Sequence, residues 1–111
     1  MLRSSIITKD WTMATNRMRA IHPGEILREE YLVPLEMTPN ALAVALRVTA
    51  TRINDIVREK RSITAETALR LGRFFGTTPQ FWLNLQAAYD LRMVDAKTAG
   101  RIEKEVEPMS S

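Results

Sequence analysis

The residues best placed to do chemistry are Thr51, Arg52, Asp55 and Arg58, which recur at i, i+1, i+4 and i+7 and so fall on one side of a helix. Three of these residue types suit the edge of a base pair. Threonine hydrogen-bonds base edges or touches a thymine methyl, arginine bonds guanine through two N–H groups, and aspartate accepts from the cytosine amino group. Thr38, Thr49, Lys60 and Arg61 fall near helix ends, where side chains and backbone N–H groups meet phosphates. The expected division of labour is base readout by Thr51, Arg52 and Asp55, and phosphate contact by Thr38, Thr49, Arg58, Lys60 and Arg61.

Catalytic chemistry has much less to work with. The chain has 111 residues, no cysteine and one histidine, which removes thiol catalysis, disulfides, Cys-ligated zinc and a Ser-His-Asp triad as leading ideas. His22 stands before Pro23 at a helix entry, where capping is its expected task. Glu25, Glu29 and Glu30 form a run of carboxylates beside Arg28, the pattern of a solvated helix face. No catalytic residue, metal ligand set or cofactor is expected. No run of eighteen apolar residues is present, so neither a membrane span nor a signal peptide is read, and a cytoplasmic location is expected.

Charge is unevenly placed although the net value is only +3. Residues 47–73 hold seven basic side chains against three acidic ones, whereas residues 21–46 hold one against four. The basic stretch, with Arg47, Arg70 and Arg73 besides those already named, suits a polyanion, and it also suits an ordinary solvated face.

These side chains need helices to position them. Residues 1–20 lack a sustained period and read as a mobile N-terminal extension. Pro23, followed by Glu25, opens a first helix over about 23–33, which Pro34 is expected to end. Thr38-Pro39 caps and starts a second over about 39–46, and Thr49 caps a third over about 50–58. Thr64 opens a fourth that Gly76 stops, and Thr78-Pro79 starts a fifth reaching towards Met93. Residues 96–111 read as a polar tail, and residues 21–95 as the folded domain.

Helices two and three, separated by Arg47-Val48-Thr49, have helix-turn-helix spacing. Ala43 allows a close crossing, and Leu42, Leu46, Val48, Ile53 and Ile56 supply a shared core. An αα-hairpin with no DNA role fits the same pattern. The turn position that usually takes a left-handed glycine is Arg47, at a cost of about 1 kcal/mol if that conformation is kept. In helix five, Phe81 and Leu85 are assigned to the core and Trp82, Leu83 and Tyr89 to a dimer interface, with a core role for all of this row as the alternative.

Several motifs in one order carry a resemblance: His22-Pro23-Gly24-Glu25-Ile26-Leu27, Ile63-Thr64, Thr67-Ala68-Leu69-Arg70-Leu71, Thr78 to Gln86, and Tyr89-Asp90-Leu91. From residue 21 to about 95 the chain resembles the HigA/VapI-type antitoxins with an XRE-like helix-turn-helix. The family often has Asn-Gly after its recognition helix, where this chain has Arg58-Glu59. The resemblance implies an all-α, five-helix bundle with a lambda-repressor-like helix-turn-helix. It further implies a homodimer that binds operator DNA, represses its own operon, and neutralises a RelE-like or HigB-like ribonuclease toxin. A stand-alone XRE-type repressor and a protein adaptor that has lost DNA binding are the competing readings.

Overall fold

The computed structural model describes residues 19–109, so the expectation for residues 1–20 lies almost wholly outside the described part. Within it all regular structure is helical. Helix α1 is a continuous run made of α-helical Pro23–Ile26, π-helical Leu27–Leu32 and α-helical Val33–Leu35; α2 is Pro39–Leu46, α3 Ala50–Val57, α4 Ala65–Phe75, α5 Pro79–Met93 and α6 Ala96–Glu105.

Five of the six starts share one device, in which a side chain at the cap accepts the N–H of the third helical residue. Thr38, Thr49, Thr64 and Thr78 do this for Ala41, Arg52, Thr67 and Phe81. Asp95 does it for Thr98. His22 uses its ring instead: Nδ1 accepts from the Gly24 N–H at 2.8 Å. The imidazole is buried, lies edge-on to Tyr89 of α5 with centroids 4.7 Å apart, and is held below its usual pKa by desolvation. At the other end of α4, Gly76 takes the left-handed conformation (φ 80°) that stops the helix.

Two boundaries differ from the sequence reading. Helix α1 continues through Pro34 to Leu35 and stops at Glu36, which is left-handed. The π-helical winding over Leu27–Leu32 lies just ahead of the proline, and such widening is how a helix adjusts where a proline ring would strike a preceding carbonyl. The second difference is α6, a sixth helix where a polar tail is read. It buries none of its residues within the monomer; its signal in the sequence is an Asp95 cap followed by Ala99, Ile102 and Val106 at helical spacing, i, i+3 and i+7.

The core joins α1 through α5. Leu27 and Leu32 of α1 meet Leu42, Ala43 and Leu46 of α2, Ile53, Ile56 and Val57 of α3, Ala68 and Leu71 of α4, and Trp82 of α5. Burial of this set supplies the main drive to fold and fixes α3 between its neighbours.

Candidate nucleic-acid interface

The unit that presents α3 is built from α2, a three-residue turn and α3. Arg47 does take the left-handed conformation (φ 61°, ψ 45°), so the turn keeps its usual shape without a glycine. Its N–H bonds the carbonyl of Val44 at 3.1 Å, and the Val48 N–H bonds that of Ala43 at 3.0 Å, which satisfies the exposed end of α2. The exit is built in the same way: Glu59 is left-handed (φ 65°), and the Lys60 N–H bonds the carbonyl of Asp55 at 2.8 Å.

With Ile53, Ile56 and Val57 inward, Thr51 and Arg58 are exposed on the outer side of α3 and Asp55 is half-buried beside them. Arg52 differs from these three in its surroundings. It lies on the flank of this ridge, turned towards α4, with Nη1 3.5 Å from the Thr67 hydroxyl and 3.7 Å from the Glu66 carboxylate. To reach a base it must leave both. Asp55 is also engaged, with its carboxylate 3.5 Å from Arg61. Thr38 and Thr49 use their oxygens as caps, and each hydroxyl retains its own proton to donate. Arg58 and Lys60 are exposed and form no ion pair among the described residues.

The basic stretch is therefore not one surface of free cations. Arg70 donates from Nη1 to the Leu46 carbonyl at 2.9 Å and pairs with Glu66, so it caps α2 from α4. Arg28 of α1 does the same for α3, donating to the Val57 carbonyl and lying 3.4 Å from Glu59. Both place a cation at the negative end of a helix of this unit.

Three positioning residues were missed in the sequence. Asn54 donates from Nδ2 to Asn40 Oδ1 and to the Ala50 carbonyl, each at 2.8 Å, and so ties α3 to the start of α2. Gln86, buried on α5, accepts the Ile63 N–H at 2.8 Å and donates to Asp90 at 3.0 Å, which fixes the strand of loop after α3. Asn40 and Asn54 stand 14 residues apart and Ile63 and Gln86 stand 23 apart, with no local spacing to relate them.

The proposed dimer row needs a larger correction. Trp82 is 0% exposed, packed 5.2 Å from the Tyr31 ring and bonded through Nε1 to the Thr77 hydroxyl at 2.8 Å, so it belongs to the monomer core. Leu83 and Leu85 are half-buried against that core and Tyr89 lies against His22, whereas Phe81 is exposed. The inward row of α5 contains Trp82 and Gln86. A buried glutamine on that row makes the alternative row of Phe81 and Leu85 look the more apolar in sequence. Farther along, Leu91, Met93, Val94, Ile102 and Val106 are exposed on the end of α5, its exit and α6.

A bundle that presents one short helix beside a tight turn, with polar groups outward and both carbonyl ends capped, defines the class of helix-turn-helix proteins. The helix-turn-helix family profile matches residues 27–82, and Virulence-associated protein I of Dichelobacter nodosus is 64% identical over 80 residues, covering 72% of this chain and 74% of that protein. The chain belongs to this family, in its HigA/VapI-type branch. Its fold matches a solved structure of Pseudomonas aeruginosa antitoxin HigA with the higBA promoter at a TM-score of 0.77 and 54% identity, covering 82% of this chain and 99% of that one. It also matches antitoxin GraA in complex with its operator at 0.78 and 45%, covering 85% and 95%. The family is one of DNA-binding antitoxins and regulators. Among the described residues no helix is long and apolar enough to cross a membrane.

Proposed function

We propose that this chain is an antitoxin that acts by binding. As a homodimer in the cytoplasm, associated with the nucleoid when on DNA, it represses its own operon and neutralises a RelE-like or HigB-like ribonuclease toxin. The observation that carries the reading is the outward ridge of α3, held in a turn of standard shape although that turn has no glycine. The likeness to HigA with its promoter and GraA with its operator supports it. On the duplex, Thr51 and Asp55 read base edges, joined by Arg52 once it leaves Glu66. Thr38, Thr49, Arg58, Lys60 and Arg61 hold phosphates. The chain supplies contacts and no catalytic step.

One recognition helix covers few base pairs, so two copies on a palindromic operator supply the affinity and the specificity. The pairing surface is the apolar end of the molecule formed by Leu91, Met93, Val94, Ile102 and Val106, which replaces the row centred on Trp82.

The test has two arms. Fluorescence anisotropy with DNA from upstream of the chain's own gene should show sequence-specific binding, and the product of the adjoining reading frame should co-purify and lose its ribonuclease activity. Binding only as weak as to random DNA would remove the repressor role; specific binding without any neutralised neighbour would leave a repressor alone.

A further inference from the structure

A cation that is to meet DNA binds most strongly when nothing else holds it beforehand. Arg58 and Lys60 meet that condition among the described residues, being exposed and forming no ion pair there. Arg52, on the same helix as Arg58, does not. Its side chain is only 27% exposed, and Nη1 lies 3.5 Å from the Thr67 hydroxyl and 3.7 Å from Glu66 Oε1.

The carboxylate that faces Arg52 is itself held in place. Glu66 stands in the first turn of α4, where the positive end of the helix favours an anion. Its second oxygen, Oε2, accepts from Arg70 Nε at 3.3 Å and from Nη2 at 3.0 Å. Arg70 in turn is fixed by its bond from Nη1 to the Leu46 carbonyl at the end of α2. The two oxygens of Glu66 therefore serve different cations: Oε2 meets one that holds the helix-turn-helix together, and Oε1 meets one on the flank of the α3 ridge. A carboxylate offers a guanidinium the same charge and the same two-oxygen edge as a phosphate does. In the free protein Arg52 thus already has a stand-in for the acceptor it would find on DNA.

We propose that Glu66 is a positioning residue for DNA binding, an internal competitor that holds Arg52 away from the duplex and so sets how tightly the chain grips its operator. The inference rests on the DNA-binding reading above and adds to it a residue outside α3. On the operator the guanidinium exchanges Glu66 for its DNA acceptor, and only the difference between the two partners strengthens the complex. The substitution Glu66→Gln separates the two duties of the carboxylate. Its amide oxygen still accepts from Arg70, whereas the charge that holds Arg52 is gone.

The experiment compares full-length wild type, Glu66→Gln, Arg52→Ala and the double variant by fluorescence anisotropy, each with operator and with random duplex, at low salt where an exposed ion pair is least screened. Glu66→Gln is expected to bind operator about threefold more tightly, a change within reach of an exposed ion pair. In the Arg52→Ala background the same substitution should change affinity far less, because no guanidinium is left to release. A measurement without DNA accompanies it: in the free protein the nitrogen-15 order parameter of the Arg52 Nε–H should fall in Glu66→Gln, while circular dichroism stays that of wild type. Weaker operator binding by Glu66→Gln would mean that Glu66 presents Arg52 to the base, and would overturn the proposal. An equal gain in both backgrounds would reduce Glu66 to one negative charge near DNA and overturn it too, as would unchanged affinity or an unchanged order parameter. Wild type that binds operator no better than random duplex would bring down the DNA-binding reading itself, and this proposal with it.

Discussion

Gly24 is packed so tightly on the carbonyl of Ile56 that a Cβ at position 24 would stand 1.8 Å from that oxygen. The first turn of α1 thus rests directly on the backbone of the recognition helix. The glycine is required here by space, since its conformation is ordinary α-helix. Gly24→Ala should push α1 from α3 and destabilise the fold by about 2–4 kcal/mol, at the upper end for an overpacked site. Thermal denaturation reads the loss; a variant as stable as wild type would show that the contact yields freely.

Arg47 presents the opposite case, a side chain where the backbone favours none. Relief of the left-handed conformation predicts that Arg47→Gly stabilises the protein by up to about 1 kcal/mol, because the steric cost in the folded state outweighs the added freedom of the unfolded chain. Urea denaturation at unchanged slope is the measurement. A lower midpoint would mean that the Arg47 side chain contributes more than its backbone costs.

His22 predicts a pH dependence whose sign follows from its lowered pKa. The unfolded imidazole takes up a proton near 6.5, and the folded one only at lower pH because burial opposes the charge, with Glu59 and Asp90 countering in part. Its contribution is therefore full above 6.5 and lost as pH falls through that value towards the folded pKa. Protonation also removes the Nδ1 acceptor for Gly24. His22→Asn keeps a capping oxygen, so its melting temperature should vary less than that of wild type between about pH 7.5 and 5.5. Parallel curves for the two proteins would sink this assignment.

On DNA, base and phosphate contacts separate by their salt and sequence signatures. Thr51→Ala should cost about 1 kcal/mol on the cognate operator and relax preference at one base pair. Lys60→Ala should weaken all sequences alike and reduce the slope of log affinity against log salt by about one. Sequence-selective loss from Lys60→Ala would reverse the assignment.

The corrected pairing surface makes a contrast within α5 and α6. Leu91→Glu and Ile102→Glu should give folded monomers with weak operator binding, read by sedimentation and circular dichroism. Leu83→Glu should instead lower stability by about 1–3 kcal/mol, since Leu83 packs partly against the core. A dimer of unchanged affinity in both Leu91→Glu and Ile102→Glu would remove this surface.

The sequence alone determined the starts of four helices and the stop of α4, because a threonine cap, a proline in the first turn and a left-handed glycine each act within three or four residues. It also determined the helix-turn-helix, since Ala43 and the apolar residues around Arg47-Val48-Thr49 lie close along the chain. Tertiary structure decided what distance along the chain conceals. Arg28 and Arg70, ordinary cations in the sequence, are captured by carbonyls 29 and 24 residues away, and Arg52 is drawn off the α3 ridge by Glu66 and Thr67. The facing of α5 was decided in the same way. Trp82 turns inward because Tyr31 and Phe75 enclose its ring and Thr77 accepts its N–H, and Gln86 because the buried Ile63 N–H needs an acceptor there, whose loss would leave that N–H unpaired.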